Sequence, residues 1–162
     1  MAHKFNMAVF IGRFQPCHRG HLSVILQGLE QAVHVVVLVG SAQSPRCHRN
    51  PFTYGERADM IRSSVPADLR DRVRIVPLED STYNDAQWIR HVQNAVERMA
   101  WTIGYTSAPS IALIGHSKDA SSYYLRMFPQ YASMEAPNYR GLDSTSIRNT
   151  YFSSMGSMWC DD

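Results

Sequence analysis

The sequence predicts an α/β fold, a doubly wound and mostly parallel sheet with helices on both faces. Three observations lead there. Four short apolar runs are continuous rather than alternating, as expected of strands covered on both sides. Helical stripes fall between those runs, in the order strand, helix, strand, helix. Gly12, Gly40 and Gly115 close three of the runs. A Rossmann-like sheet binds its ligand there, beyond the carboxyl ends of its strands.

The elements follow in order. Met7–Ile11 is the first apolar run, Val33–Val39 the second, Arg72–Pro77 the third and Ser110–Ile114 the fourth. Leu22, Ile25, Leu26 and Leu29 recur at i, i+3, i+4 and i+7, the stripe of a helix packed on a sheet. Thr53 with Glu56 forms a capping box, and Ala58, Ile61 and Val65 continue one face behind it. Ile89, Val92, Val96 and Met99 mark a longer helix. A further helix is expected near Ser117, and a last one near Asp143 or Ser144.

The chain has 162 residues, of which 44% are hydrophobic and 19% charged. That suits one compact domain over residues 1–162, with 153–162 read as a tail or linker stub. Sixteen Lys and Arg against 14 Asp and Glu give a net charge of +2, which argues against a nucleic-acid-binding surface. No apolar run approaches the ~20 residues of a membrane span. Cys17, Cys47 and Cys160 are odd in number and widely spaced, so a reducing, cytoplasmic setting is expected.

The loop after the first run carries the sharpest signal, Gly12-Arg13-Phe14-Gln15-Pro16-Cys17-His18-Arg19-Gly20-His21. His18 and His21 are three apart and, at a helix start, face the same way. Gly20 permits close backbone approach, and first-turn N–H groups attract anions. These features describe a phosphate-binding corner with two imidazoles over it. Both the dinucleotide glycine fingerprint and the Gly-rich Lys-Ser/Thr loop are missing. A zinc site of Cys17, His18 and His21 with Cys47 or His48 is an alternative, but it lacks paired-cysteine spacing. The last helix opens with Asp143-Ser144-Thr145-Ser146-Ile147-Arg148, where a hydroxyl and a guanidinium one turn apart can reach the same phosphate oxygens.

The first loop resembles the HxGH signature, and the last helix the ISSTxxR motif, of the nucleotidyltransferase superfamily. Asp143 replaces the first serine of the second motif, while Ser144, Thr145 and Arg148 match it. With Gly40-Ser41-Ala42-Gln43, Asn50-Pro51-Phe52-Thr53, Asn84, Trp88 and Gly115-His116-Ser117-Lys118-Asp119, the chain resembles the nicotinamide-nucleotide adenylyltransferases. It is most similar to the archaeal type and to the transferase half of bacterial Nudix fusions.

The resemblance implies an enzyme that joins ATP and nicotinamide mononucleotide into NAD and pyrophosphate, without a covalent enzyme intermediate. His18, His21, Arg13 and Arg148 would act on the phosphates. Gly12, Phe14, Gly20, Ser144 and Thr145 would surround ATP, with Gly115, Lys118 and Asp119 near its nucleoside. Trp88 would stack on the nicotinamide ring and Asn84 bond its carboxamide, with Gln15, Ser41 and Arg49 completing that half. Magnesium is expected as a companion of ATP, held by phosphate and water rather than by a cluster of side chains. ATP and the mononucleotide are the expected partners, with neither nucleic acid nor membrane, and relatives of this type often form homo-oligomers. The alternatives are a superfamily transferase acting on another phosphate substrate, or a nucleotide-binding module without catalysis.

Overall fold

The computed structural model describes residues 2–115, 126–136 and 139–158. The helix expected near Ser117, with Lys118 and Asp119, lies outside the described residues. Five strands form one sheet: β1 (Phe5–Gly12), β2 (Ala32–Val39), β3 (Val73–Pro77), β4 (Ile111–Gly115) and β5 (Ala132–Glu135). Their order across the sheet is β3-β2-β1-β4-β5, and every neighbouring pair is parallel. The chain builds outward from β1 to β3, then returns to the other side of β1 for β4. That reversal opens a crevice above the ends of β1 and β4, the switch point of a doubly wound sheet.

Helices α1 (Arg19–Gln31) and α2 (Tyr54–Ser64) cover one face and α3 (Asp85–Ile103) the other, and α4 (Ser144–Met158) follows β5. Ala8 and Phe10 of β1, with Val35, Val37 and Val39 of β2, share one core with Val24, Ile25 and Leu29 of α1 and Ile61 of α2. Met7, Val9 and Ile11, with Val36 and Leu38, share the other with Val92, Ala95, Val96 and Ala100 of α3. Alternate residues of each strand thus serve opposite cores, which is why the runs read as uninterrupted apolar sequence.

The capping box of α2 forms as expected: the Glu56 N–H donates to Thr53 Oγ1, and the Thr53 N–H to the Glu56 carboxylate. The stripe on α1 is rotated from the expected one. Val24, Ile25, Gly28 and Leu29 are buried, while Leu22 and Leu26 lie at its margin. Gly28 is small because β2 passes close by; a Cβ there would stand 2.9 Å from Val35 Cγ2. β5 has no counterpart in the sequence reading. Of its four residues only Met134 is buried, too little to show as an apolar run.

Candidate active site

The loop from β1 to α1 is shaped by packing. Phe14 takes a positive φ of 53° and turns its ring, 1% exposed, back beneath the end of β1. A Cβ at Gly12 would sit 3.1 Å from that ring, so the strand can end there only in glycine without a shift. Phe14 meets Phe10 edge-on, with centroids 5.3 Å apart, and supports the His21 ring at 4.6 Å. Gln15 is buried and clasps Phe52, donating to its carbonyl (2.9 Å) and accepting from its N–H (3.0 Å).

His18 and His21 cap α1 reciprocally. His18 Nδ1 accepts from the Gly20 N–H (3.1 Å), and His21 Nδ1 accepts from the His18 N–H (3.2 Å). An imidazole replaces the usual hydroxyl or carboxylate of a capping box. The rings stack, with centroids 3.8 Å apart and planes 26° from parallel. Because both Nδ1 atoms accept, the donor hydrogen of each neutral ring resides on Nε2. Backbone bonds thus fix tautomer and orientation together. Gly20 has a different use from the one expected: a Cβ there would stand 2.9 Å from His18 Cε1, so the glycine makes room for the imidazole.

The last helix meets this loop. Asp143 caps α4, accepting from the Ser146 N–H (2.8 Å) and hydroxyl (2.7 Å). The Ser146 hydroxyl first, then its N–H, hold the Asp143 carboxyl below its ordinary range, with the Thr145 N–H and His18 adding to the effect. Ser144 Oγ donates to the Pro16 carbonyl (3.0 Å). Arg148, 6% exposed, donates to the Gln15 carbonyl (2.6 Å) and to Thr145 Oγ1 (3.2 Å). Two ends of the chain, more than 120 residues apart, are thereby tied together.

Between them opens a cleft of about 880 Å³. Arg13, His18, His21, Arg49, Thr145 and Arg148 line it, with Gly12, Phe14, Gln15 and Ser144. Burial pushes the Arg13 guanidinium below its ordinary value; the like charges of Arg49 and Arg148 push it further, and Asp80 opposes them. Arginine remains charged in such surroundings, so the cleft concentrates positive charge. Trp88, half-buried, stands in the same lining with Leu78 and Asp80, its ring 6.0 Å from that of Phe128. A smaller hollow of about 450 Å³, around Glu79, His91 and Arg98, shares Leu78 with the cleft but has one guanidinium in its lining.

Several expected residues stand elsewhere. Asn84 sits just before α3 as its N-cap. Its side chain accepts from the Gln87 N–H (2.9 Å) and donates to Gln87 Oε1, and it is not among the cleft-lining residues. Ser41, at φ 51°, gives its N–H to Asp80 (3.3 Å) and is buried behind the lining. Gly115 ends β4 inside the core, also outside the lining. In the loop after β2, Arg46 is engaged with Glu56 (2.7 Å) and the Pro51 carbonyl (2.9 Å), while Arg49 lines the cleft.

Arg57, which a position in the first turn of a helix would ordinarily leave facing solvent, is buried. It is 1% exposed. Its guanidinium donates to the carbonyls of Arg13 (2.7 Å), Gly40 (2.7 Å), Ser41 (3.1 Å) and Thr53 (3.2 Å). It therefore ties together the loops that leave β1 and β2, bonding Arg13 and Gly40 of the cleft lining. Asp80 also went unread; its only signal was an acidic pair, Glu79-Asp80, just past the third strand.

Residues 9–150 match the cytidylyltransferase-like family model. Over 93% of its length the chain is 38% identical to the nicotinamide/nicotinic acid mononucleotide adenylyltransferase of Acinetobacter baylyi, covering 77% of that protein. It is 30% identical over 96% of its length to the nicotinamide-nucleotide adenylyltransferase of Picrophilus torridus, covering 83% of it. The solved structure of a bifunctional NMN adenylyltransferase/ADP ribose pyrophosphatase from Francisella tularensis, complexed with AMP and a manganese ion, superposes with a TM-score of 0.80 at 33% identity. That match covers 92% of this chain but 42% of the Francisella protein, so the chain spans less than half of that relative. Several archaeal relatives are likewise matched over about half their length. The chain belongs to the cytidylyltransferase-like family and groups with the nicotinamide-nucleotide adenylyltransferases.

Proposed function

We propose that this chain transfers the adenylyl group of ATP to nicotinamide mononucleotide, giving NAD and pyrophosphate. One observation carries the reading: two imidazoles from the first loop and guanidiniums from three separate segments converge on one cleft that also contains Trp88. The mononucleotide phosphate oxygen attacks the α-phosphorus of ATP. The bond from that phosphorus to the oxygen bridging to the β-phosphate breaks, and pyrophosphate departs with the electron pair. The nucleophile is already an anion, so no side chain needs to take a proton from it.

The side chains position the reactants and balance charge. His18 and His21, with their hydrogens on Nε2, donate to phosphate oxygens while their backbone bonds keep the rings from turning. Arg13 and Arg148 hold the triphosphate, with Thr145 beside Arg148. Arg49 faces the acceptor phosphate, and the Trp88 ring offers a flat surface to the cationic nicotinamide. A divalent cation, taken here as magnesium, supplies charge neutralisation when it accompanies ATP. Among the described residues no three His, Cys, Asp or Glu form a metal-binding group, and the cleft carboxylates Asp80 and Asp143 already accept hydrogen bonds. The donor set fits an ion held chiefly by phosphate and water.

Pyrophosphate release, measured with ATP and a panel of phosphate acceptors, tests this reading. Nicotinamide mononucleotide is expected to turn over fastest, and His18→Ala to lose about a hundredfold in rate while still binding ATP. Equal turnover with unrelated acceptors would remove the substrate assignment, and an undiminished His18→Ala the mechanism.

A further inference from the structure

We propose that His48 and Phe152 form a latch that holds Arg49 over the cleft, which makes them positioning residues for the acceptor phosphate. The inference rests on the adenylyl-transfer reading. His48 and Arg49 form the two-residue tip of the loop between β2 and α2. Cys47 and Asn50 close the turn beneath them with two backbone bonds, 3.2 Å and 2.9 Å long. Below the turn the loop is anchored through Arg46 to Pro51 and Glu56, and through Phe52 to Gln15. The tip itself is exposed.

From this tip the two side chains go separate ways. Arg49 lines the cleft, while His48 lies against Phe152 of α4, with ring centroids 4.4 Å apart and planes at 33°. Phe152 follows Arg148 by four residues, so one helix face presents Arg148 to the cleft and Phe152 to the tip. Tyr151 backs Phe152 edge-on at 5.3 Å. The ring contact therefore joins the loop after β2 to the helix that carries Arg148.

Electrostatics explains why a latch is needed. Arg49 and Arg148 both repel Arg13 before an anion arrives, and that repulsion tends to drive an exposed tip outward. Stacking of His48 on Phe152 opposes this motion and keeps Arg49 in place for the incoming phosphate. An aromatic pair of this kind changes an equilibrium by roughly twofold to tenfold.

The test uses the full chain. Phe152→Ala and His48→Ala are expected to raise KM for the mononucleotide about threefold to tenfold, with kcat and the thermal midpoint near wild type. His48→Phe, which keeps the stack, is expected to retain the wild-type KM. In an Arg49→Ala background, Phe152→Ala should add no further effect, because the latch acts through Arg49. Amide exchange supplies a readout independent of turnover: the Cys47 and Asn50 N–H groups should exchange faster in Phe152→Ala. A chain inactive with the mononucleotide yet showing that faster exchange would overturn the reaction and support the latch. Unchanged exchange, an unchanged KM, full additivity with Arg49→Ala, or a His48→Phe variant as impaired as His48→Ala would each overturn the latch.

Discussion

Replacing Arg57 by Met keeps the approximate length of the side chain but removes all four of its hydrogen bonds. The Gly40 and Ser41 carbonyls receive theirs in a fully buried setting; Gly40 loses its donor while Ser41 keeps the Ser44 N–H (3.3 Å), and a bond from a charged donor contributes about 1.5–3 kcal/mol net of desolvation. The Arg13 and Thr53 carbonyls are only part-buried and can turn toward water. That range already counts the cost of burying the cation, several kcal/mol before its bonds form. Burial, with Arg13 nearby, indeed holds the Arg57 guanidinium below its ordinary value. The two fully buried bonds together set an expected net loss of about 3 kcal/mol. Urea unfolding of Arg57→Met against wild type measures it, with Arg62→Met as a control. Arg62 makes an exposed bridge to Asp59 (2.9 Å), and its loss should cost less than about 1 kcal/mol. A variant at Arg57 no less stable than the Arg62 control would refute the reasoning.

Three further outcomes are expected. Gly20→Ala should lower turnover at least about tenfold by displacing His18, while stability changes little because the helix propensity gained offsets the His18 cap lost, as paired kinetics and melting curves would reveal. Gly28→Ala should do the reverse. Val35 is fully buried and has little room to retreat from the new Cβ, so stability falls by about 1–2 kcal/mol while turnover per folded molecule is kept. Burial pushes the Cys17 thiol up to about 11, so at pH 8 iodoacetamide should label exposed Cys47 and spare Cys17 until the chain is unfolded, read by peptide mass spectrometry. The same shift makes the unfolded thiol ionise first. The stability Cys17 contributes is present below pH 9.0 and lost as pH rises toward about 11, a decline that Cys17→Ala should lack.

The parts of this molecule that could be read from sequence are those where one local rule dominates. β1 and β2 are uninterrupted apolar runs because each is covered on both faces, and Thr53 with Glu56 announces α2 through bonds three residues apart. His18, His21 and Arg148 were recognisable from their motifs, although only the fold brings the two ends together. Arg57 escaped notice because nothing in a first-turn helical arginine reveals that two strand ends lie above it. Asn84 illustrates the same limit. Four-residue spacing from Trp88 suits a shared helix face, yet a residue just before a helix can also be its cap, and the Gln87 N–H takes it. β5 is edge-placed, short and half polar, so its existence depends on pairing with β4 rather than on its own sequence.

The central claim is that the first loop and the last helix grip a single chain of phosphates. A crystal structure of this chain with NAD bound tests it most directly. The account predicts the dinucleotide phosphates within hydrogen-bonding distance of His18 or His21 and of Arg148, with the nicotinamide against Trp88. Phosphates bound away from either the imidazoles or Arg148 would contradict it.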